Sequence, residues 1–70
     1  SKSGPHEVKT HENGSDFKVE WKGERIPFSS SVVGEHNVLN LTSCLLFLLS
    51  EGFEVSRIQK AAREIGMVKR

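Results

Sequence analysis

Hydrophobic and charged residues alternate in the first half of the chain, with the two-residue period of a β-strand. Phe17, Val19 and Trp21 occupy the hydrophobic positions, and each is followed by a lysine or a glutamate. This pattern predicts a strand with one buried face. A tight turn at residues 22–24 follows, and a returning strand is predicted to begin at Arg25 and to continue toward Val33.

An earlier strand is predicted over residues 6–10, because the strong turn signal Asn13-Gly14 follows it. Pro27 has no N–H to donate to a strand ladder, so we expect it at a sheet edge or a strand end. We therefore predict a two- or three-stranded antiparallel meander. Residues 1–13 are interpreted as a linker or a partly ordered strand.

After Gly34 the hydrophobic period becomes that of an α-helix, with Gly52 as the stop signal. Further hydrophobic residues at 39, 46 and 47 widen the apolar surface, so we expect this helix to be covered on more than one side. The residues that carry the helical spacing are Val38, Leu41, Leu45, Leu48 and Leu49.

A second helix is predicted from Arg57 to Ile65, with Gly66 at its C-terminal end. Ser56 and Gln59 match a capping box, in which a serine caps the helix and a glutamine lies three residues later. The fold class expected is α/β, a small antiparallel meander followed by two helices.

Composition limits the function classes. The chain has 70 residues, a net charge of +1 and a single cysteine, Cys44, so it can form no internal disulfide. We expect Cys44 to be a buried, unreactive thiol among the leucines of the first helix. No apolar run approaches the ~20 residues that a membrane span needs, and no export signal is visible, so a cytoplasmic location is expected.

The most informative segment is Gly34-Glu35-His36-Asn37-Val38-Leu39-Asn40, at the start of the long helix. The first backbone N–H groups of a helix lack internal partners and attract anions. The spacing places His36, Asn37 and Asn40 on roughly one face. These residues predict a nucleotide or phosphate contact.

Together with the long helix, Gly52, and a second helix that leads to Gly-Met-Val-Lys-Arg, this motif resembles the Mur ligases. Members of that family carry a G-x-H-N-x-x-N helix start in their central ATP-binding domain. The resemblance covers residues 14–70, which would be the late, C-terminal part of that domain.

The resemblance implies an ADP-forming amide ligase of peptidoglycan synthesis or recycling. ATP would phosphorylate a carboxylate of a UDP-N-acetylmuramate substrate, an amino acid or peptide amine would attack the acyl phosphate, and Mg²⁺ would neutralise the phosphates. Asn40 would contact the adenine, His36 and Asn37 would line the same region, and Arg70 would contact ribose or phosphate.

The 70 residues contain no phosphate-binding G-x-x-x-x-G-K-[ST] loop, and the resemblance places the catalytic and metal-binding residues elsewhere in such a ligase. We therefore expect the chain alone to be inactive. We assign it no catalytic and no metal-binding residue.

The alternative interpretation is a small nucleic-acid-binding module. Two helices joined by a short turn have the outline of a helix-turn-helix, and Arg57, Lys60 and Arg63 form a basic stripe on the second helix. The nearly neutral net charge argues against this interpretation, and so do Glu54 and Glu64, which interrupt the stripe.

Overall fold

A computed structural model describes residues 4–65, which form a three-stranded antiparallel sheet followed by two helices. The strands lie in the order β1-β2-β3, and the predicted meander and two helices are confirmed. The elements are β1 (Pro5–His11), β2 (Gly14–Trp21), β3 (Glu24–Ser30), α1 (Glu35–Ser50) and α2 (Val55–Glu64).

One face of the sheet is buried against the helices, as the alternating pattern predicts. Phe17 and Val19 of β2 lie beside Phe28 and Ile26 of β3, and the two phenylalanine rings stack with their centroids 6.1 Å apart. Trp21 is only partly buried. These side chains form the sheet half of the core.

Strand β3 ends at Ser30, so the expectation that it continues to Val33 is wrong. The pairing ends with Ser15 opposite Ser30, and β2 begins at Gly14, so β3 has almost no partner strand beyond this point. Residues 31–34 instead form the loop that leads into α1, which we call the entry loop.

Helix α1 buries the predicted stripe against the sheet. Val38, Leu41, Leu45 and Leu49 are each at most 5% exposed. The helix ends as predicted, since Gly52 adopts a left-handed backbone conformation with φ of 93°. The Gly52 and Phe53 N–H groups donate to the carbonyls of the last turn, which is a Schellman ending.

The opposite face of α1 is open in the described residues. Leu39 and Phe47 are 43% and 61% exposed, so the predicted cover on a second side is not provided by residues 4–65.

The prediction that Cys44 is buried is wrong, because its side chain is exposed. Consecutive helical residues are rotated by about 100°, so a direct neighbour of Leu45 in sequence can face away from the core.

Helix α2 begins at Val55, two residues before the predicted start, with Glu54 at the N-cap position. The predicted capping box is wrong, because no side chain caps this helix end. Gln59 instead donates from Nε2 to the Pro27 carbonyl at 2.8 Å and fastens α2 to β3. Ile58 and Ala62 are buried, and Gly66 lies outside the described residues.

No helix among residues 4–65 is both long enough and apolar enough to cross a membrane.

Candidate nucleotide site

The start of α1 leaves backbone donors available to a ligand. Gly34 occupies the N-cap position with φ of 98°, and no side chain makes a capping hydrogen bond there. The Gly34 carbonyl accepts the Val38 N–H at 3.0 Å, which closes the first turn. The N–H groups of this turn lie at the positive end of the helix dipole, where an anion or a polar edge is stabilised.

The structure brings three of the four predicted site residues onto one surface. His36, Asn37 and Asn40 are all exposed, and helical geometry places them within about 100° of arc on the side of α1 away from the core. Arg70 lies outside the described residues.

Asn37 has a structural contact that the sequence did not suggest. Its Nδ2 donates to the Val33 carbonyl at 2.8 Å, four residues back in the entry loop. This bond uses one of the two N–H donors of the Asn37 carboxamide, while its carbonyl oxygen remains available as an acceptor. Asn37 therefore shapes the helix start, whatever else it contacts.

Two buried serines also belong to this region, and sequence reasoning missed them. Ser15 and Ser30 are 0% and 7% exposed and lie opposite each other on β2 and β3. The signal was present, since Ser15 precedes Phe17 and Ser30 follows Phe28 by two residues, on the same buried face.

A cavity of about 500 Å³ lies between β1 and the start of α1, at the border between the buried and the open faces of the helix. None of the predicted nucleotide contacts lines it, because His36, Asn37 and Asn40 face outward. Its lining residues are Gly4, Pro5, Val8, Thr10, Glu35, Val38 and Leu39.

The outer face of the sheet carries a separate polar cluster. Ser29 donates from Oγ to Asp16 at 2.7 Å, and His11 Nε2 lies 3.3 Å from the same carboxylate. The Ser29 hydrogen bond, with the nearby His11, lowers the pKa of Asp16.

Within residues 4–65, no group of three His, Cys, Asp or Glu side chains is arranged to hold a metal ion.

Comparison with known proteins shows which proteins share sequence with this chain, including the segment at residues 34–40. The chain is 39% identical over 59 residues to a UDP-N-acetylmuramate–L-alanine ligase of Streptococcus equi subsp. zooepidemicus, a match that covers 83% of the chain and 13% of the ligase. It is 30% identical over 59 residues to a UDP-N-acetylmuramoyl-L-alanyl-D-glutamate–2,6-diaminopimelate ligase of Clostridium perfringens, covering 84% and 12%. The chain belongs to the Mur ligase family.

A third Mur ligase, the UDP-N-acetylmuramate–L-alanine ligase of Streptococcus sanguinis, is 29% identical over 66 residues, covering 93% of the chain and 15% of the ligase. The chain thus spans only a small part of the length of its curated relatives, 12% to 15% in these three cases. No family model and no solved structure matches it. Ligase relatives do not favour the nucleic-acid-binding alternative.

Proposed function

We propose that the chain is part of the ATP-binding domain of a Mur-type amide ligase and contributes to the adenine side of its ATP site. The similarity to Mur ligases carries the proposal. The exposed polar surface formed by His36, Asn37 and Asn40 supports it, because a ligand can reach that surface without displacing the core.

In the proposed ligase, ATP activates a carboxylate of a UDP-N-acetylmuramate substrate as an acyl phosphate, and an amine attacks it to form the amide. Mg²⁺ stabilises the phosphate charge when it is bound. Asn40 suits adenine because one carboxamide offers both a donor and an acceptor to the base edge. His36 and the Asn37 oxygen complete the same surface, and Arg70 is proposed to contact ribose or phosphate.

The amine substrate depends on the subfamily. From the resemblance of the Glu35–Asn40 segment and the Val-Lys-Arg ending, we propose a murein peptide ligase or a UDP-N-acetylmuramate–L-alanine ligase. Both classes use UDP-N-acetylmuramate as the carboxylate substrate. We therefore propose UDP-N-acetylmuramate itself as the substrate class in peptidoglycan synthesis or recycling.

Substitution of Asn40 tests the proposed site. In the ligase that carries this segment, Asn40→Ala is expected to raise the KM for ATP about tenfold or more, equivalent to about 1.4 kcal/mol. Steady-state kinetics with varied ATP measure the effect. Ser43→Ala is the matched control, since Ser43 is exposed on the same helix and its hydroxyl bonds only to the Leu39 carbonyl within the described residues. An unchanged KM in Asn40→Ala would show that Asn40 is not an adenine contact.

The isolated chain is expected to hydrolyse no ATP, because its 70 residues contain no phosphate-binding loop. Phosphate release from Mg²⁺-ATP, measured with the purified chain, checks this expectation. A rate above that of a buffer blank, removed by Asn40→Ala, would contradict it.

A further inference from the structure

The entry loop is held by the two buried serines at one corner of the sheet. Ser15 donates from Oγ to the Val32 carbonyl at 2.9 Å, and the Val32 N–H donates to Ser30 Oγ at 3.3 Å. Both backbone groups of one loop residue are therefore bonded to buried side chains. A buried hydroxyl without such partners would be costly, so these bonds favour one position of the loop.

The same contacts reach both helices. Ser30 donates from Oγ to the Ile65 carbonyl at 3.3 Å, which joins the end of α2 to the entry loop. Asn37 bonds to the Val33 carbonyl from the first turn of α1. Hydrogen bonds at Val32 and at its neighbour Val33 thus connect the sheet, through the loop backbone, to the first turn of α1.

These bonds restrain the backbone that leads into the start of α1. The N-cap residue is Gly34, which has no side chain to restrain the backbone and no capping bond to replace one. A loop released at Val32 can rotate about Gly34 and displace the first turn of α1, where Asn37 bonds to the Val33 carbonyl and which leads directly to Asn40. Hydrogen bonds to a base weaken steeply with such displacement, since they require separations near 3 Å and favourable angles.

We propose that Ser15 and Ser30 are positioning residues for the adenine side of the ATP site, a role that rests on the function proposed above. Neither hydroxyl touches the nucleotide. They act by holding Val32, and through the entry loop they hold the α1 surface that contacts adenine.

The test is a comparison of Michaelis constants in the ligase that carries this segment. Ser15→Ala is expected to raise the KM for ATP about fivefold, equivalent to about 1 kcal/mol, and to change kcat by less than about twofold. Adenine contacts are made equally in the ground and transition states, so their loss appears in KM. The KM for UDP-N-acetylmuramate should stay unchanged.

Ser30→Ala should act in the same direction with a smaller effect, because its bonds are longer. If Ser15→Ala does not fold, the KM for ATP of Ser30→Ala tests the positioning role in its place.

Two controls separate positioning from general destabilisation. Ser29→Ala removes the neighbouring hydroxyl of β3, which faces Asp16 on the outer side of the sheet, and should leave the KM for ATP unchanged. Ile26→Val creates a small gap in the buried core and should lower stability without raising that KM.

The positioning role is wrong if Ser15→Ala leaves the KM for ATP unchanged while Asn40→Ala raises it, and the proposed function then stands. It is also wrong if Ile26→Val raises this KM as much as Ser15→Ala does. If neither Ser15→Ala nor Asn40→Ala changes the KM, the proposed function fails, and the positioning role fails with it.

Discussion

Replacement of Gly14 by alanine is expected to lower the free energy of unfolding by about 3 kcal/mol or more. Gly14 is buried at the start of β2 with φ of 156°, and a Cβ atom there would overlap the Ser30 carbonyl oxygen. That oxygen belongs to the backbone of a paired strand, so it cannot rotate away as a side chain can. Relief requires β2 and β3 to separate at the corner where Ser15 and Ser30 hold the entry loop.

Urea unfolding of the chain, followed by far-UV circular dichroism, measures this loss. Gly23→Ala is the matched control: Gly23 also has a positive φ, of 82°, but no atom lies within 4 Å of the position that a Cβ would occupy there. Its cost should be limited to backbone strain, about 1 kcal/mol. Equal losses in the two variants would show that the contact with Ser30 is not what demands glycine at position 14.

Replacement of Leu45 by alanine is expected to cost about 3 kcal/mol, within the range for buried leucines. Leu45 is 0% exposed and lies in the middle of α1, inside the cluster that joins this helix to the sheet. Its removal leaves a cavity that the surrounding strands and helices can fill only in part. Because a domain of this length is marginally stable, the loss should unfold a large fraction of the molecules.

Leu39→Ala provides the comparison on the same helix, with the same change of side chain. Leu39 is 43% exposed, so its replacement should cost less than about 1 kcal/mol. Thermal unfolding of both variants gives the difference. A loss at Leu39 as large as that at Leu45 would contradict the one-sided packing of α1.

Most of the architecture could be predicted because it depends on short-range periodicity. The alternation around Phe17 and Val19 indicates the buried strand face, and the spacing of Val38, Leu41 and Leu45 indicates the buried side of α1. Gly52 marks the helix end because a left-handed residue is needed there. Each of these features is decided within a few residues of the chain.

The sequence predictions fail where a side chain's role depends on a contact distant in sequence, or on the side of the helix that it faces. Gln59 lies at the right spacing for a capping box, yet it bonds to Pro27, 32 residues away. Ser15 and Ser30 look like ordinary turn-flanking serines until the entry loop is placed against them. The prediction for Cys44 fails because a neighbour of leucine in sequence need not share its side of the helix.

The candidate site was predictable only in part for the same reason. The motif at residues 34–40 places His36 and Asn40 together by helical geometry alone, and the structure agrees that they share an exposed surface. The bond from Asn37 to Val33 and the support beneath the loop depend on tertiary contacts that spacing does not encode.

The hydrogen bond between Gln59 and Pro27 also affects whether strand β3 can pair with a strand of another molecule. Strand β3 is at an edge of the described sheet, where free N–H and C=O groups can recruit a strand from another molecule. Pro27 has no N–H to offer, and its carbonyl is already occupied by Gln59. The middle of this edge therefore offers no backbone donor at Pro27 and only a carbonyl that is already hydrogen-bonded, which disfavours strand-to-strand aggregation there.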